Sequence, residues 1–321
     1  MNEPRNSPGA ALGIDTSNYT TSVCLYNSED NALFQYRRLL PVKEGALGLR
    51  QSDAVFEHTK QLPELMSELP DGFGKDLCAV GVSDRPSCRE NSYMPCFLTG
   101  LSAARAISRA LGVPLYRFTH QEGHIAAALF SSGRTDLFNK EFLVFHISGG
   151  TTDLLKVGRS EDSAFNVELV GRSLDLKMGQ AVDRLGNLLG MRFPSGKELD
   201  ELAASGENRL AFPTAVKGTD CSISGFENRF KKYLEQGETP ADVARSFFVG
   251  LGNTLCKMAA AARESEGITD IVFSGGVASN SIIRSVAAKK MKSVSFADPE
   301  FSRDNAAGTA LLAYKRSAGE I

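Results

Sequence analysis

The chain lacks several features that would place it in common classes. Its six cysteines (Cys24, Cys78, Cys88, Cys96, Cys221 and Cys256) form no Cys-x-x-Cys pair and no dense framework. That usage fits a reducing cytosol and argues against a secreted disulfide scaffold. A net charge of −2 leaves no global basic field to draw the protein to nucleic acid or to an anionic membrane, though it is compatible with a local basic patch. No apolar run approaches membrane-spanning length. Residues 1–10, MNEPRNSPGA, are polar with two prolines and lack the apolar centre of a signal peptide. These absences lead to the expectation of a soluble, cytoplasmic protein with no membrane partner. Histidine is scarce as well, with four in 321 residues.

Length and patterning point to an α/β protein of two lobes. A chain of 321 residues can build two cores, and 42% hydrophobic and 23% charged content is that of a globular protein. ALGID and TSVCLYN, joined by a tight Ser-Asn-Tyr turn, read as paired strands, with ALFQYRRLL as a third. The pattern predicts an amphipathic helix over 52–69 with Phe56, Leu62, Leu65 and Met66 buried and Pro63 bending or ending it. LCAVGVS (77–83) reads as a buried strand, LTGLSAARAISRAL (98–111) as a helix closed by Gly112, and VPLYRF as a further strand. A strand–turn–strand–strand pattern followed by helices recurs, near 12–40 and near 142–173, which predicts a duplicated domain with a cleft between its halves.

Further helices are expected over 173–190, after Pro194-Ser195-Gly196, along the apolar stretch opened by Pro240, from near Ser279, and at the C-terminal end. The expected division is a first lobe over 1–118, a second over 119–300 and a helix over 301–321 that returns to the first. Residues 1–10 are expected to be a disordered tail, and the histidine helix and a nucleotide site to lie in the second lobe. The polar segment 84–95, DRPSCRENSYMP, is long for a connector inside a compact lobe and reads as a binding loop or lid.

Chemistry concentrates at His120-Gln121-Glu122-Gly123-His124. With Thr119 opening a helix, the histidines stand four residues apart on one face, and both imidazoles can reach one metal ion. A zinc peptidase would need glutamate directly after the first histidine to activate metal-bound water. Gln121 stands there and Glu122 faces another side, so that reading lacks its general base. Asp304, beside the start of the last helix, is the candidate third ligand. Asp15-Thr16-Ser17 places a carboxylate and two hydroxyls at a strand tip, as a metal–phosphate ligand would need, or as a capped turn would. Asp15 is the one candidate catalytic residue. EFLVFHISGG and IVFSGG each end a buried strand in glycines. In the second, Ser274-Gly275-Gly276 leads to a helix start whose backbone N–H groups suit an anionic or adenine-bearing ligand. Asp175, Gly179 and Asp183 are spaced along one helix flank, and Gly196 lets backbone approach a ligand.

Together these motifs resemble the TsaD family, formerly called glycoprotease, which makes N6-threonylcarbamoyladenosine in tRNA and belongs to the actin-like and sugar-kinase-like ATPases. The resemblance runs from GIDTS near the start to DNAAGTALLAY near the end. It implies an actin-like/sugar-kinase-like ATPase fold of duplicated ribonuclease-H-like lobes around a central cleft. It implies one divalent metal, iron foremost and zinc or magnesium next, on His120, His124 and Asp304. It also implies a substrate strand at His146, Ile147, Ser148, Gly149 and Gly150, and nucleotide or acyl-adenylate contacts at Asp183, Gly196 and Asn280. Gly275 and Gly276 add to the nucleotide site.

The implied ligands are ATP, ADP or threonylcarbamoyl-AMP. The implied reaction transfers threonylcarbamoyl to N6 of adenosine 37 in ANN-decoding tRNA, and the implied partners are tRNA, a dimerising TsaB-like paralogue and a small TsaE-like ATPase. The chain departs from the family at the first hairpin, where Tyr19 and Thr20 replace two acids and Asp15 replaces glutamate. Segment 84–95 replaces a short Gly-Pro-Gly loop, and Leu176, Gln180 and Ser195 replace aspartate, glutamate and glycine. These departures imply a divergent paralogue. They leave open a scaffold that binds nucleotide and metal, and a small-molecule carbamoyl or phosphoryl transferase of the same superfamily.

Overall fold

Two five-stranded sheets with one shared strand order organise the chain into two units. The computed structural model describes residues 9–17, 19–41, 49–89 and 92–321. Residues 1–8 of the expected tail, and positions 90 and 91 of the 84–95 segment, lie outside the described residues.

The first sheet grows outward from β1 (Ala10–Asp15), whose six residues are all buried, as befits a strand covered on both faces. β2 (Thr20–Asn27) pairs antiparallel with β1, and β3 (Ala32–Leu39) antiparallel with β2 at the edge. After α1 (Gln51–Ser67), β4 (Leu77–Arg85) lies parallel to β1. α2 (Phe97–Leu111) crosses over to β5 (Leu115–Thr119), which is parallel to β4. Gly112 ends α2 in the left-handed region (φ 67°), which costs glycine nothing. α3 (His120–Ser131) then follows β5 without a loop.

α1 corrects one expectation. It runs on through Pro63 to Ser67, and Phe56 is 62% exposed. Leu62 and Leu65 are buried as expected, and the same face also carries His58 and Gln61, because Thr21 on β2 supplies polar partners. Thr21 Oγ1 donates to Gln61 Oε1 at 2.9 Å, so His58 Nδ1, 2.8 Å away, must donate to Thr21. His58 Nε2 is left as a buried lone pair without a hydrogen bond. Burial pushes this imidazole down to about 4, against an opposing pull from Asp15. The unfolded chain, with an ordinary histidine near 6.5, then binds more protons than the folded one between those values. Stability therefore falls as pH drops through that window. We expect urea unfolding in metal-free buffer to show a loss of about 2 kcal/mol from pH 7.5 to pH 5 that His58→Asn lacks. An equal loss in both proteins would refute this assignment.

The second unit repeats the plan with β6 (Phe142–Ile147), β7 (Thr152–Gly158) and β8 (Asn166–Arg172). α4 (Met178–Leu188), α5 (Gly196–Ala204), a hairpin of β9 (Ala215–Lys217) and β10 (Asp220–Ser222), and α6 (Ser224–Glu235) follow. The unit closes with α7 (Pro240–Glu266), β11 (Ile271–Ser274), α8 (Ser281–Lys290) and β12 (Val294–Phe296). The order β8-β7-β6-β11-β12 reproduces β3-β2-β1-β4-β5, with β11 parallel to β6 and β12 parallel to β11.

α7 supplies much of this core. Thr239 caps it, Pro240 sits where a missing N–H costs nothing, and Phe247 meets Phe212, Phe226 and Phe230 edge-on. Burying each such ring contributes ~1.5–3 kcal/mol relative to exposure. The helix expected from 173 starts at Met178, because Asp175 is engaged in the preceding turn, accepting from Leu176 N, Ile223 N and Ser224 N. The helix expected from Ser279 starts at Ser281, after a tight helical turn over 276–279.

The chain returns to the first unit with α9 (Ala307–Ala318), which lies directly on β1 and β4: a methyl at Gly13 or Gly81 would strike its backbone. α3 packs on α9, so the histidine helix belongs to the first unit, which comprises residues up to Asn139, Arg159–Asn166 and Arg303–Ile321. The lobe boundary expected at 119 is corrected accordingly. Among the described residues no helix is long and apolar enough to cross a membrane.

Candidate functional site

The histidines gather where they do because α3 begins at a fixed point. Thr119 Oγ1 accepts from Glu122 N at 3.1 Å, and Glu122 Oε2 accepts from Thr119 N at 2.7 Å, a reciprocal capping box. Glu122 is 1% exposed, and its other oxygen accepts from Ala164 N at 2.8 Å and Phe165 N at 3.2 Å. This buried carboxylate, satisfied by backbone donors, sets the start of the helix and hence the direction of His120. α3 then crosses α9 glycine against glycine. A methyl at Gly308 would overlap the Gly123 carbonyl oxygen, and one at Gly123 would press on Thr309 Oγ1 at 3.0 Å. That closeness brings Asp304, just ahead of α9, to the histidines.

His120 Nε2 and His124 Nε2 lie 3.0 Å apart, and Asp304 Oδ1 is 3.4 Å from each. One donor atom from each of the three residues lies within 4.8 Å of the others. Burial alone would lower the His120 imidazole, but Asp15 at 2.8 Å, with help from Asp304, raises it to about 10. Burial likewise works against ionised Asp304 and Asp15, yet the histidine contacts outweigh it and hold both below the usual carboxylate range. The pocket therefore stabilises positive charge at the point where the three donors meet. Two imidazole nitrogens and one carboxylate oxygen fit a divalent first-row metal and leave coordination positions open, as a catalytic site needs.

Asp15 Oδ2 contacts His120 Nδ1, and Oδ1 accepts from Ser17 N at 2.9 Å. Sequence reasoning missed this contact, the anchoring role of Glu122 and the Gly123–Gly308 crossing. The Thr-x-x-Glu spacing of Thr119 and Glu122 was a usable signal for the second. The 84–95 segment starts later than expected, since Asp84 and Arg85 still belong to β4. Asp84 pairs with Arg85 at 3.1 Å and Arg117 at 2.6 Å, and Pro86 O accepts from Gln121 N at 3.1 Å, against the first turn of α3.

The second unit brings together the glycine-rich turns. β6 and β11 are parallel neighbours with His146 and Ser274 in register, so Ser148-Gly149-Gly150 and Ser274-Gly275-Gly276 leave the sheet side by side. Gly275 has φ 98°, and a side chain there would strike the Ile147 backbone, so glycine is required. Gly179 of α4 abuts Ser148 O and the Gly149 backbone in the same way. Gly149, Gly150 and Gly276 face open space. Ile147 is fully buried and paired with Thr152 of β7, so of the expected substrate strand it is the open Gly149 and Gly150 that face free space.

Asp183 Oδ1 accepts from Ser195 N at 3.0 Å and Ser195 Oγ at 3.2 Å, fixing the turn before Gly196. Asn280 caps α8 through Ile282 N and Ile283 N, and its Nδ2 donates to Asp200 Oδ1 on α5 at 2.8 Å. α5 thus ties Asp183, Gly196 and Asn280 into one corner, and the side chain of Asn280 is committed to it. A pocket of about 460 Å³ beside Asp183 is lined by Gln180, Arg184, Asn187, Met191 and Phe193, the last 84% exposed.

The family described as "TsaD: tRNA N6-adenosine threonylcarbamoyltransferase" matches residues 56–311. Among solved structures, the chain is similar to full-length HypF in its phosphate- and nucleotide-bound form, at 14% identity and a TM-score of 0.60, over 98% of this chain and 48% of that one. It is also similar to component A of (R)-2-hydroxyglutaryl-CoA dehydratase from Acidaminococcus fermentans, at 16% identity and a TM-score of 0.51, over 96% and 99% of the two chains. A ROK family glucokinase from Streptomyces griseus in complex with glucose and AMPPNP is similar at 13% identity and a TM-score of 0.51, over 96% and 100%. The chain spans about half the length of HypF. At these identities the likeness shows the fold, an α/β arrangement of two mixed sheets flanked by helices, as expected of the actin-like and sugar-kinase-like class.

Proposed function

We propose, on the premise that this chain belongs to the TsaD family, that it is a metal-dependent transferase moving threonylcarbamoyl from threonylcarbamoyl-AMP to N6 of adenosine 37 in ANN-decoding tRNA. The family match supports transfer chemistry of this general type. The observation that carries the proposal is the convergence of His120 Nε2, His124 Nε2 and Asp304 Oδ1. A divalent metal bound there, iron foremost, would supply Lewis acidity toward an oxygen of the transferred group or of its phosphate.

The chain's own residues bind and orient. Backbone donors at the open Gly149, Gly150 and Gly276 suit phosphate and acyl oxygens, and Asp183 beside Gly196 suits the ribose side. Held in line, the adenosine N6 attacks the carbamoyl carbon. The bond from that carbon to the phosphate oxygen breaks, N6 gives up one proton, and AMP departs. In this reading tRNA, a TsaB-like paralogue and a TsaE-like ATPase are the partners, and the cytoplasm is the place of action.

Purified protein, with and without such partner subunits, is expected to convert threonylcarbamoyl-AMP and unmodified ANN-decoding tRNA to threonylcarbamoyladenosine, read by nucleoside mass spectrometry. His124→Ala should abolish the product. A second reading is favoured by Tyr19 and Thr20, neutral residues at the first hairpin where the family carries acids. There the same site would transfer a carbamoyl or phosphoryl group to a small molecule. Turnover of carbamoyl phosphate or ATP without tRNA, and no modified nucleoside, would support that reading over the first.

A further inference from the structure

We infer that Asp15 acts through His120 as the positioning residue of the metal site, setting its affinity, and does not itself meet the substrate. The inference rests on reading His120, His124 and Asp304 as metal ligands, and is independent of which acceptor the enzyme uses.

The hydrogen-bond geometry carries it. Asp15 is 1% exposed, and its Oδ2 lies 2.8 Å from His120 Nδ1. An ionised carboxylate only accepts, so Nδ1 must hold the ring hydrogen. When His120 is neutral, as a metal ligand must be, Nε2 therefore carries the lone pair, and this is the atom that meets His124 Nε2 and Asp304 Oδ1. A carboxylate behind a ligating histidine fixes the tautomer, holds the ring plane and makes the nitrogen a stronger donor. The second oxygen of Asp15 is engaged as well, by Ser17 N at 2.9 Å. A residue that served as a base toward substrate would have to break one of these contacts from a position sealed from solvent.

The surroundings are built to keep Asp15 still. It ends β1 in register with Ser22 of β2. The next residue, Thr16, donates to Cys96 O at 2.9 Å and accepts from Gly100 N at 3.1 Å, which pins the strand tip to the start of α2. A side chain on a central strand, with its neighbour anchored, has the rigidity that second-layer support of a metal ligand needs.

Two measurements test this. Apo protein titrated with Co²⁺ against a chromogenic chelator gives the affinity, and the visible Co²⁺ spectrum reports ligand geometry. Asp15→Asn keeps the shape and removes the charge; checked as folded by circular dichroism, it should weaken Co²⁺ binding about 10–100-fold and alter the spectrum. Unchanged affinity and spectrum in a folded Asp15→Asn protein would overturn the inference, as would absence of metal binding in the wild type. Independently of any variant, long-range proton–nitrogen NMR of the zinc-loaded wild type should show the hydrogen of His120 on Nδ1. A hydrogen on Nε2 would overturn the inference whatever the variant does. Weakened metal binding in Asp15→Asn together with no tRNA product from wild type would leave this inference standing and sink the proposed acceptor.

Discussion

Adding one methyl group at Gly308 is expected to cost the first unit about 3 kcal/mol and to lower its metal affinity at the same time. The added carbon would overlap the Gly123 carbonyl oxygen, a backbone atom inside α3 that cannot rotate away as a flexible side chain would. Relief requires α3 and α9 to move apart. His120 and His124 ride on the first helix and Asp304 stands just before the second, so separation opens the distances of 3.4 Å that join them. Gly308→Ala should therefore show a lower urea midpoint and weaker Co²⁺ binding in parallel. Lost stability with full metal affinity would mean that the crossing does not set the site.

Metal affinity is expected to rise about tenfold per pH unit between pH 6 and pH 8. Without metal, Asp15 and Asp304 raise the His120 imidazole to about 10 despite its burial, so at neutral pH it holds a proton. Ligation requires the lone pair on Nε2, and each metal bound must then displace that proton. Lower pH favours the protonated pocket and weakens metal binding, and the effect fades above the raised value. Calorimetry in two buffers of different ionisation enthalpy should report close to one proton released per ion bound. A flat affinity across this range would remove His120 from the ligand set.

Much of this arrangement was legible in the sequence, for identifiable reasons. The buried strands read correctly because AALGID and FLVFHI are nearly continuous apolar runs, and the duplicated strand order follows from two such runs each leading a meander. The His-x-x-x-His spacing needed only helical periodicity to place both rings on one face. What stayed hidden depends on contacts distant in sequence. Helical periodicity placed Glu122 only on another side from the histidines, and the backbone of Ala164 and Phe165 shows why it is buried. Gly123 and Gly308 explain one another across 185 residues, and neither carries a local signal of the crossing. The lobe boundary was misplaced for the same reason, since the packing of α3 on α9 overrides chain order. Phe56 was misjudged because periodicity counts apolar residues, whereas the buried face of α1 joins Leu62 and Leu65 to His58 and Gln61, the partners of Thr21.

The most direct test of the account is the metal content of the protein itself. Wild type, His124→Ala and Asp304→Ala, each purified, loaded with ferrous iron under anaerobic conditions and desalted, would be analysed by plasma mass spectrometry beside a circular dichroism spectrum. The account predicts one ion per wild-type chain and close to none in either variant, with all three folded. Equal metal in wild type and variants, or none in the wild type, would contradict the assignment of His120, His124 and Asp304 as the metal centre.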